Sequence, residues 1–206
     1  MYFAPPVKEA QPHMVAGTLG WIDTPDQCYP GTRPHGVTWC ADNGCFGAKP
    51  FNEDRWFNWL QNHTDVEHCR FATAPDVVGD HEATVKRSLP WLPRIQALGY
   101  PAAFVAQDGA TPDGLPWTAF DVVFIGGTDQ FKLGREAVNI AVEGRRRGMW
   151  VHIGRVNSRQ RFLRFSHIAD SADGTFVKFG PRIRVPEVLG WVREHDSRIP
   201  LWEEGA

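Results

Sequence analysis

Long apolar runs are missing from this chain. No window approaches the roughly 18 consecutive apolar residues of a membrane span, and the start MYFAPPVKEA lacks the apolar core of a secretory leader. A membrane partner is therefore not expected. A strong charge of one sign is missing too: the net charge of −2 excludes a uniformly basic nucleic-acid coat but not a local basic face. Cysteines are few, and Cys28, Cys40, Cys45 and Cys69 all fall in the first third. None forms a C-x-x-C pair, and the spacing of Cys40 and Cys45 fits no common zinc pattern. Free thiols in a reducing cytoplasm are the expectation.

Several cofactor and catalytic motifs are absent as well. No Gly-x-Gly-x-x-Gly follows the first clear strand, and there is no phosphate-binding P-loop. His13, His35, His63, His68, His81, His167 and His195 are scattered without ligand spacing, and His152 lies within a strand. With no H-x-H or H-E-x-x-H, neither a catalytic metal nor any other cofactor is expected. The lack of a G-x-S-x-G elbow argues against acyl-transfer hydrolysis.

What is present is enough chain, 206 residues, for one domain over residues 1–206 with a sizeable core. Nine Trp supply either stacking surfaces or bulky core side chains. Strand-like apolar runs occur at 1–4, 37–41, 70–74, 102–106, 121–125, 150–153 and 172–176. Helical stripes fall at 8–20, 53–63, 80–98 (with a kink near Pro90 and Pro93), 129–147, 158–167 and 186–195, and residues 23–36 read as a long loop. Apolar strands alternating with helices imply a parallel sheet covered on both faces. The fold expected is α/β, a compact or trimmed TIM-like (β/α) barrel, although only seven strands can be placed. A doubly wound open sheet is the alternative.

The residues that follow these strands are Asp42, Asp76, Gln107, Gly126, Gly127, Arg155 and Asp173. In a parallel barrel they share one mouth. Asp42 opens the turn Asp42-Asn43-Gly44 and alone reads as an ordinary turn aspartate. The set reads differently. A carboxylate beside a carboxamide can match the donor and acceptor edge of a base, and glycines let a ligand approach the backbone. Two carboxylates are also what glycosidic-bond chemistry needs. Residues 144–164 add seven Arg and no acid. Arg145, Arg146, Arg147, Arg155, Arg159 and Arg161 are candidates for phosphate contacts, which guanidinium forks make bidentately.

In this order the strand-end segments resemble the tRNA-guanine transglycosylase superfamily, in particular its DNA-acting branch related to 7-deazaguanine insertion. Asp42-Asn43-Gly44-Cys45-Phe46 is similar to that family's D-S-G-G-F, whose Asp is the acid/base. Pro75-Asp76 falls where the family has a base-binding Asp. Val105-Ala106-Gln107-Asp108-Gly109 is similar to its V-Q-G-G, and Phe124-Ile125-Gly126-Gly127 to its I-G-G. Asp170-Ser171-Ala172-Asp173 has its D-x-x-D spacing, whose second Asp is the nucleophile. No Cys follows Cys69, so the family's zinc subdomain is not expected, and neither is its dimer. A monomer is expected. The V-Q-G-G element carries Asp108 at its first Gly position after Gln, and Thr128 follows Gly126-Gly127.

The resemblance implies a cytoplasmic enzyme that cleaves the N-glycosidic bond of a flipped-out, modified base in DNA, double- or single-stranded, in a phage-defence setting. Asp173 would be the nucleophile and Asp42 the acid/base. Asp76, Gln107, Gly126, Gly127, Asn43, Phe46 and Thr128 would surround the base, with Trp39 and Trp117 as further stacking candidates. Base exchange by a transglycosylase and non-catalytic reading of modified DNA are the alternatives.

Overall fold

The computed structural model describes residues 1–26, 33–46, 51–63 and 65–197, so Cys28 and Gly47 lie outside the described residues. Eight parallel strands close into a barrel in chain order: β1 Tyr2–Ala4, β2 Leu19–Asp23, β3 Trp39–Ala41, β4 Cys69–Thr73, β5 Ala102–Ala106, β6 Val122–Ile125, β7 Trp150–Ile153 and β8 Ser171–Asp173. Closure runs through β1 and β8, with Tyr2 opposite Ala172 and Phe3 opposite Asp173. This pairing excludes the open doubly wound sheet.

The eighth strand that the sequence hides is β2. Residues 8–20 do not form one helix: α1 (Gln11–Val15) stops after five residues, and Gly17 turns the chain at φ 76. Leu19–Asp23 then enters the sheet where a helix end and a loop were expected. Gly20 is required there, because a Cβ at that position would sit 2.3 Å from the Phe3 ring that crosses the barrel.

The helices cover the outside. α2 (Glu53–Gln61) is capped by the Asn52 side chain, which accepts from Arg55 N at 2.8 Å, and it buries Trp56, Phe57 and Leu60. The expected helix over 80–98 is two, α3 (His81–Ser88) and α4 (Leu92–Ala97), with Pro93 in the first turn of α4, where no N–H is needed. The helix over 129–147 is likewise split into α5 (Asp129–Lys132) and α6 (Arg135–Arg146) by an extended Gly134. α7 (Arg159–Phe165) and α8 (Pro181–Ser197) complete the layer, and α8 tolerates Pro186 inside it. Among the described residues, no helix is long and apolar enough to cross a membrane.

Alternation along each strand divides the core in two. Phe3, Cys40, Phe71, Ala103 and Val122 fill the barrel interior. Tyr2, Trp21, Trp39, Phe104 and Val123 face the helices. Trp39 is therefore a packing residue, fully buried against Tyr100 and His63. Trp117 packs on Phe120 and under Arg147, in the connection that leads into β6. Neither Trp faces the mouth. Cys40 and Cys69 are buried free thiols, and Cys45 is a half-buried one.

Candidate active site at the barrel mouth

The C-terminal ends of the strands surround a cleft that is open to solvent. Asp42, Asp76, Gln107, Gly126, Gly127, Arg155 and Asp173 all line it, as do Asn43 and Phe46. Thr128 does not line it. Its backbone N–H and Oγ1 donate to Asp108 at 2.8 and 2.5 Å, and its hydroxyl caps α5.

One wall is a pair of amides holding a carboxylate. Asn43 Nδ2 donates to Asp76 Oδ1 at 2.8 Å and to Ala74 O at 2.7 Å, while Gln107 Nε2 donates to Asp76 Oδ2. Gln107 Oε1 accepts from Gly79 N at 2.9 Å. Each Asp76 oxygen has further lone pairs, so the pair can be held rigid and still accept from a ligand. Burial raises the Asp76 pKa against the pull of these hydrogen bonds. Gly126 closes this side: a Cβ there would meet Val105 at 2.5 Å.

The opposite wall carries Asp173, oriented by a chain of hydrogen bonds through the barrel. Trp150 Nε1 can only donate, and it donates to Ser171 Oγ at 2.8 Å. His152 Nε2 faces Asp173 Oδ1 at 3.1 Å, and since a carboxylate oxygen accepts, Nε2 carries the ring proton and donates it. Nδ1 of the neutral ring then accepts from the Ser171 hydroxyl, also at 2.8 Å. Burial lowers the His152 pKa and keeps the ring neutral, opposed by its bond to Asp173. The sequence showed His152 only as a strand histidine, and the alternation that points it inward alongside Ser171 and Asp173 was the available signal.

Arg155 completes this wall. It is a non-glycine residue at φ 57, a conformation that costs about 1–3 kcal/mol. Its N–H donates to Asp173 Oδ1 at 3.1 Å, its guanidinium bonds to Gly127 O, and the Phe46 ring lies 4.1 Å from that guanidinium. Asp173 Oδ1 thus has two protein donors, and Oδ2 has none of these.

Asp42 sits between the walls. Burial, then the charges of Asp173 and Asp76, raise its pKa from 3.8 to about 7, against the Gly44 and Asn43 backbone N–H groups that bond to it. Lys132 is a residue that the sequence reading missed. It is 1% exposed, and its Nζ has no hydrogen-bond partner among the described residues. Burial, followed by the nearby Arg155, lowers its pKa to about 8, and Asp173 acts in the other direction.

The arginines do not form one face. Arg155 lies in the mouth, and Arg161 pairs with Asp129 at 2.7 Å, just beyond the end of β6. Arg159 pairs with Glu194 at 2.5 Å on α8. Arg145, Arg146 and Arg147 lie at the end of α6 that leads into β7, the opposite end of the barrel. There Arg145 bonds Asp170, and Arg146 and Arg147 bond Glu143. Counting charge along the sequence merged two ends of the molecule.

No family model and no curated protein matches the chain. Solved structures do. A tryptophan synthase from M. tuberculosis, in an open form with BRD0059 bound, aligns over 94% of this chain and 91% of its own at TM-score 0.54 and 13% identity. The tryptophan synthase alpha subunit from Legionella pneumophila aligns over 97% and 93% at TM-score 0.51 and 9% identity. A ligand-free M. tuberculosis tryptophan synthase aligns over 78% of this chain at TM-score 0.48, and the chain spans 61% of that one. At these identities the likeness shows the barrel fold alone.

Proposed function

We propose that this barrel cleaves the N-glycosidic bond of a flipped-out, modified base in DNA, with Asp173 as nucleophile and Asp42 as acid/base. The observation that carries the reading is the pairing of Asp42, whose pKa is about 7, with Asp173 in one cavity beside the Asp76–Gln107 base-edge reader. Protonated Asp42 can give a proton, and ionised Asp42 can take one, at the same pH.

In the first step Asp173 Oδ2 bonds to C1′ of the sugar. The C1′–N bond breaks, its electron pair goes to the base, and Asp42 delivers the proton that neutralises it. In the second step Asp42, now ionised, takes a proton from water, the hydroxyl bonds to C1′, and Asp173 leaves as a carboxylate. The products are a free base and an abasic site. Asp76, Gln107 and Asn43 hold the base edge, and Phe46 beside Arg155 covers the mouth. Arg155 and Arg161 would contact phosphates flanking the flipped nucleotide.

The test incubates the protein with modified and unmodified DNA and scores alkali-labile abasic sites, with isotope-labelled free deazapurine added in parallel. Abasic sites in modified DNA that vanish in Asp173→Ala support excision. Label entering DNA would instead establish base exchange by the same intermediate. Binding without either product would establish a non-catalytic reader and overturn the proposal.

A further inference from the structure

A second group of side chains converges at the other end of the barrel, far from the cavity. His35 precedes β3, and Asp65, Glu67 and His68 form the turn that precedes β4. One ligand atom from each of the four lies within 4.8 Å of all the others. We propose that His35, Asp65, Glu67 and His68 bind one divalent metal ion of the zinc class, which ties the chain entering β3 to the chain entering β4. This proposal is independent of the chemistry at the mouth.

The separations bracket the edges of a zinc tetrahedron, some shorter and some longer. Bonds of about 2.0–2.2 Å from zinc to imidazole and carboxylate give ligand–ligand edges of about 3.3–3.6 Å. Asp65 Oδ1 lies 2.8 Å from His68 Nδ1 and 3.2 Å from His35 Nε2. Glu67 Oε1 lies 3.8 Å from His35 Nε2 and 3.9 Å from His68 Nδ1. Hydrogen bonding to Asp65 explains the shorter pair. The Glu67 separations exceed hydrogen-bond length, and a small inward movement of this exposed side chain would bring it onto a central ion.

The Asp65 carboxylate is also prepared for such a role. Its side chain is 4% exposed, and its other oxygen, Oδ2, accepts from Arg33 NH1 at 2.8 Å and from Gly36 N at 3.1 Å. Trp39 Nε1 donates to the Asp65 carbonyl at 2.9 Å. These outer bonds fix the plane of the carboxylate and leave Oδ1 directed at the two imidazoles, as ligating carboxylates are held elsewhere. Two imidazoles with two carboxylates suit zinc and its neighbours rather than magnesium or calcium, which favour all-oxygen sets. Four protein ligands also make a closed, structural site rather than a catalytic one. Sequence spacing did not reveal it, because His35 is brought to His68 only by the pairing of β3 with β4.

The test uses the full chain, tag-free and stripped with a chelator, titrated with Zn²⁺ against a chromogenic chelator and with Co²⁺ followed by absorption. One equivalent of Zn²⁺ should bind, and Co²⁺ should give the intense bands of a tetrahedral site. His35→Ala and His68→Ala should each weaken binding by about tenfold or more, since loss of even an outer partner has that effect. His13→Ala, a half-buried histidine on α1 outside the cluster, should change nothing. His35 is 79% exposed in its side chain, so His35→Ala tests the idea even if His68→Ala fails to fold. Absence of saturable binding overturns the proposal. So does binding indifferent to His35→Ala, or equal competition by Mg²⁺ or Ca²⁺.

Discussion

Asp42→Asn should stabilise the protein in alkaline solution while slowing the proposed chemistry. Asp42 is held in a cavity with Asp173 and Asp76, and its pKa rises from 3.8 to about 7. At about 1.36 kcal/mol per pKa unit, ionising it in the folded state costs up to about 4 kcal/mol. Part of the side chain reaches solvent, so about 2–4 kcal/mol is expected. The sign follows from linkage: the folded state binds the proton more tightly, so the penalty is absent below 3.8, grows through the window, and is complete above about 7. Asn keeps the shape and the acceptor for the Gly44 and Asn43 N–H groups but carries no charge. Thermal unfolding of both proteins should therefore give close midpoints near pH 4. Near pH 8 the midpoints should differ by several degrees in favour of Asn, at about 2–4 °C per kcal/mol for a chain of this size. Equal stability near pH 8, or a difference that does not depend on pH, would refute the assignment of Asp42 as a carboxyl group destabilised for function.

Other outcomes follow from the same site. Base release should fall about tenfold per pH unit above about 7, as Asp42 loses the proton it donates, and a flat profile to pH 9 would exclude that role. Ser171→Ala removes the proton donor of His152 and the acceptor of Trp150, so it should cost about 1–3 kcal/mol in urea unfolding and lower the turnover rate more than substrate affinity. Lys132→Met should raise the midpoint at pH 7, because it removes a buried ammonium with no hydrogen-bond partner among the described residues, an exchange worth about 1–4 kcal/mol. That gain should shrink as pH rises from about 8 to 10.5, since the folded-state Lys132 pKa is lowered to about 8.

The barrel was legible in the sequence because buried parallel strands are continuous apolar runs closed by Gly, Pro or Asp. AAFVA at β5 and VVFI at β6 could be read directly. β2 could not, because LGWID carries a glycine that makes room for Phe3 and follows a helix too short to show its period. The residues of the mouth were legible as a list, since each stands just after a strand. Their bonding was not: the relay from Trp150 to Asp173 depends on which side chains the barrel turns inward. The position of Arg145–Arg147 was not legible either: they are close in sequence to Arg155, but α6 carries them to the far end of the barrel. Lys132 gave no signal, as a lysine in a short helix ordinarily reaches solvent.

The proposed reaction passes through a covalent bond between Asp173 and a sugar. It can be tested by mixing the protein with modified DNA, quenching in acid at short times, digesting both components, and mapping adducts by mass spectrometry. A deoxyribose-containing adduct is expected on the peptide bearing Asp173, absent in Asp173→Ala and accumulating when Asp42→Asn slows its hydrolysis with an activated leaving base. Base release from the wild type with no adduct on that peptide, or undiminished release by Asp173→Ala, would contradict it.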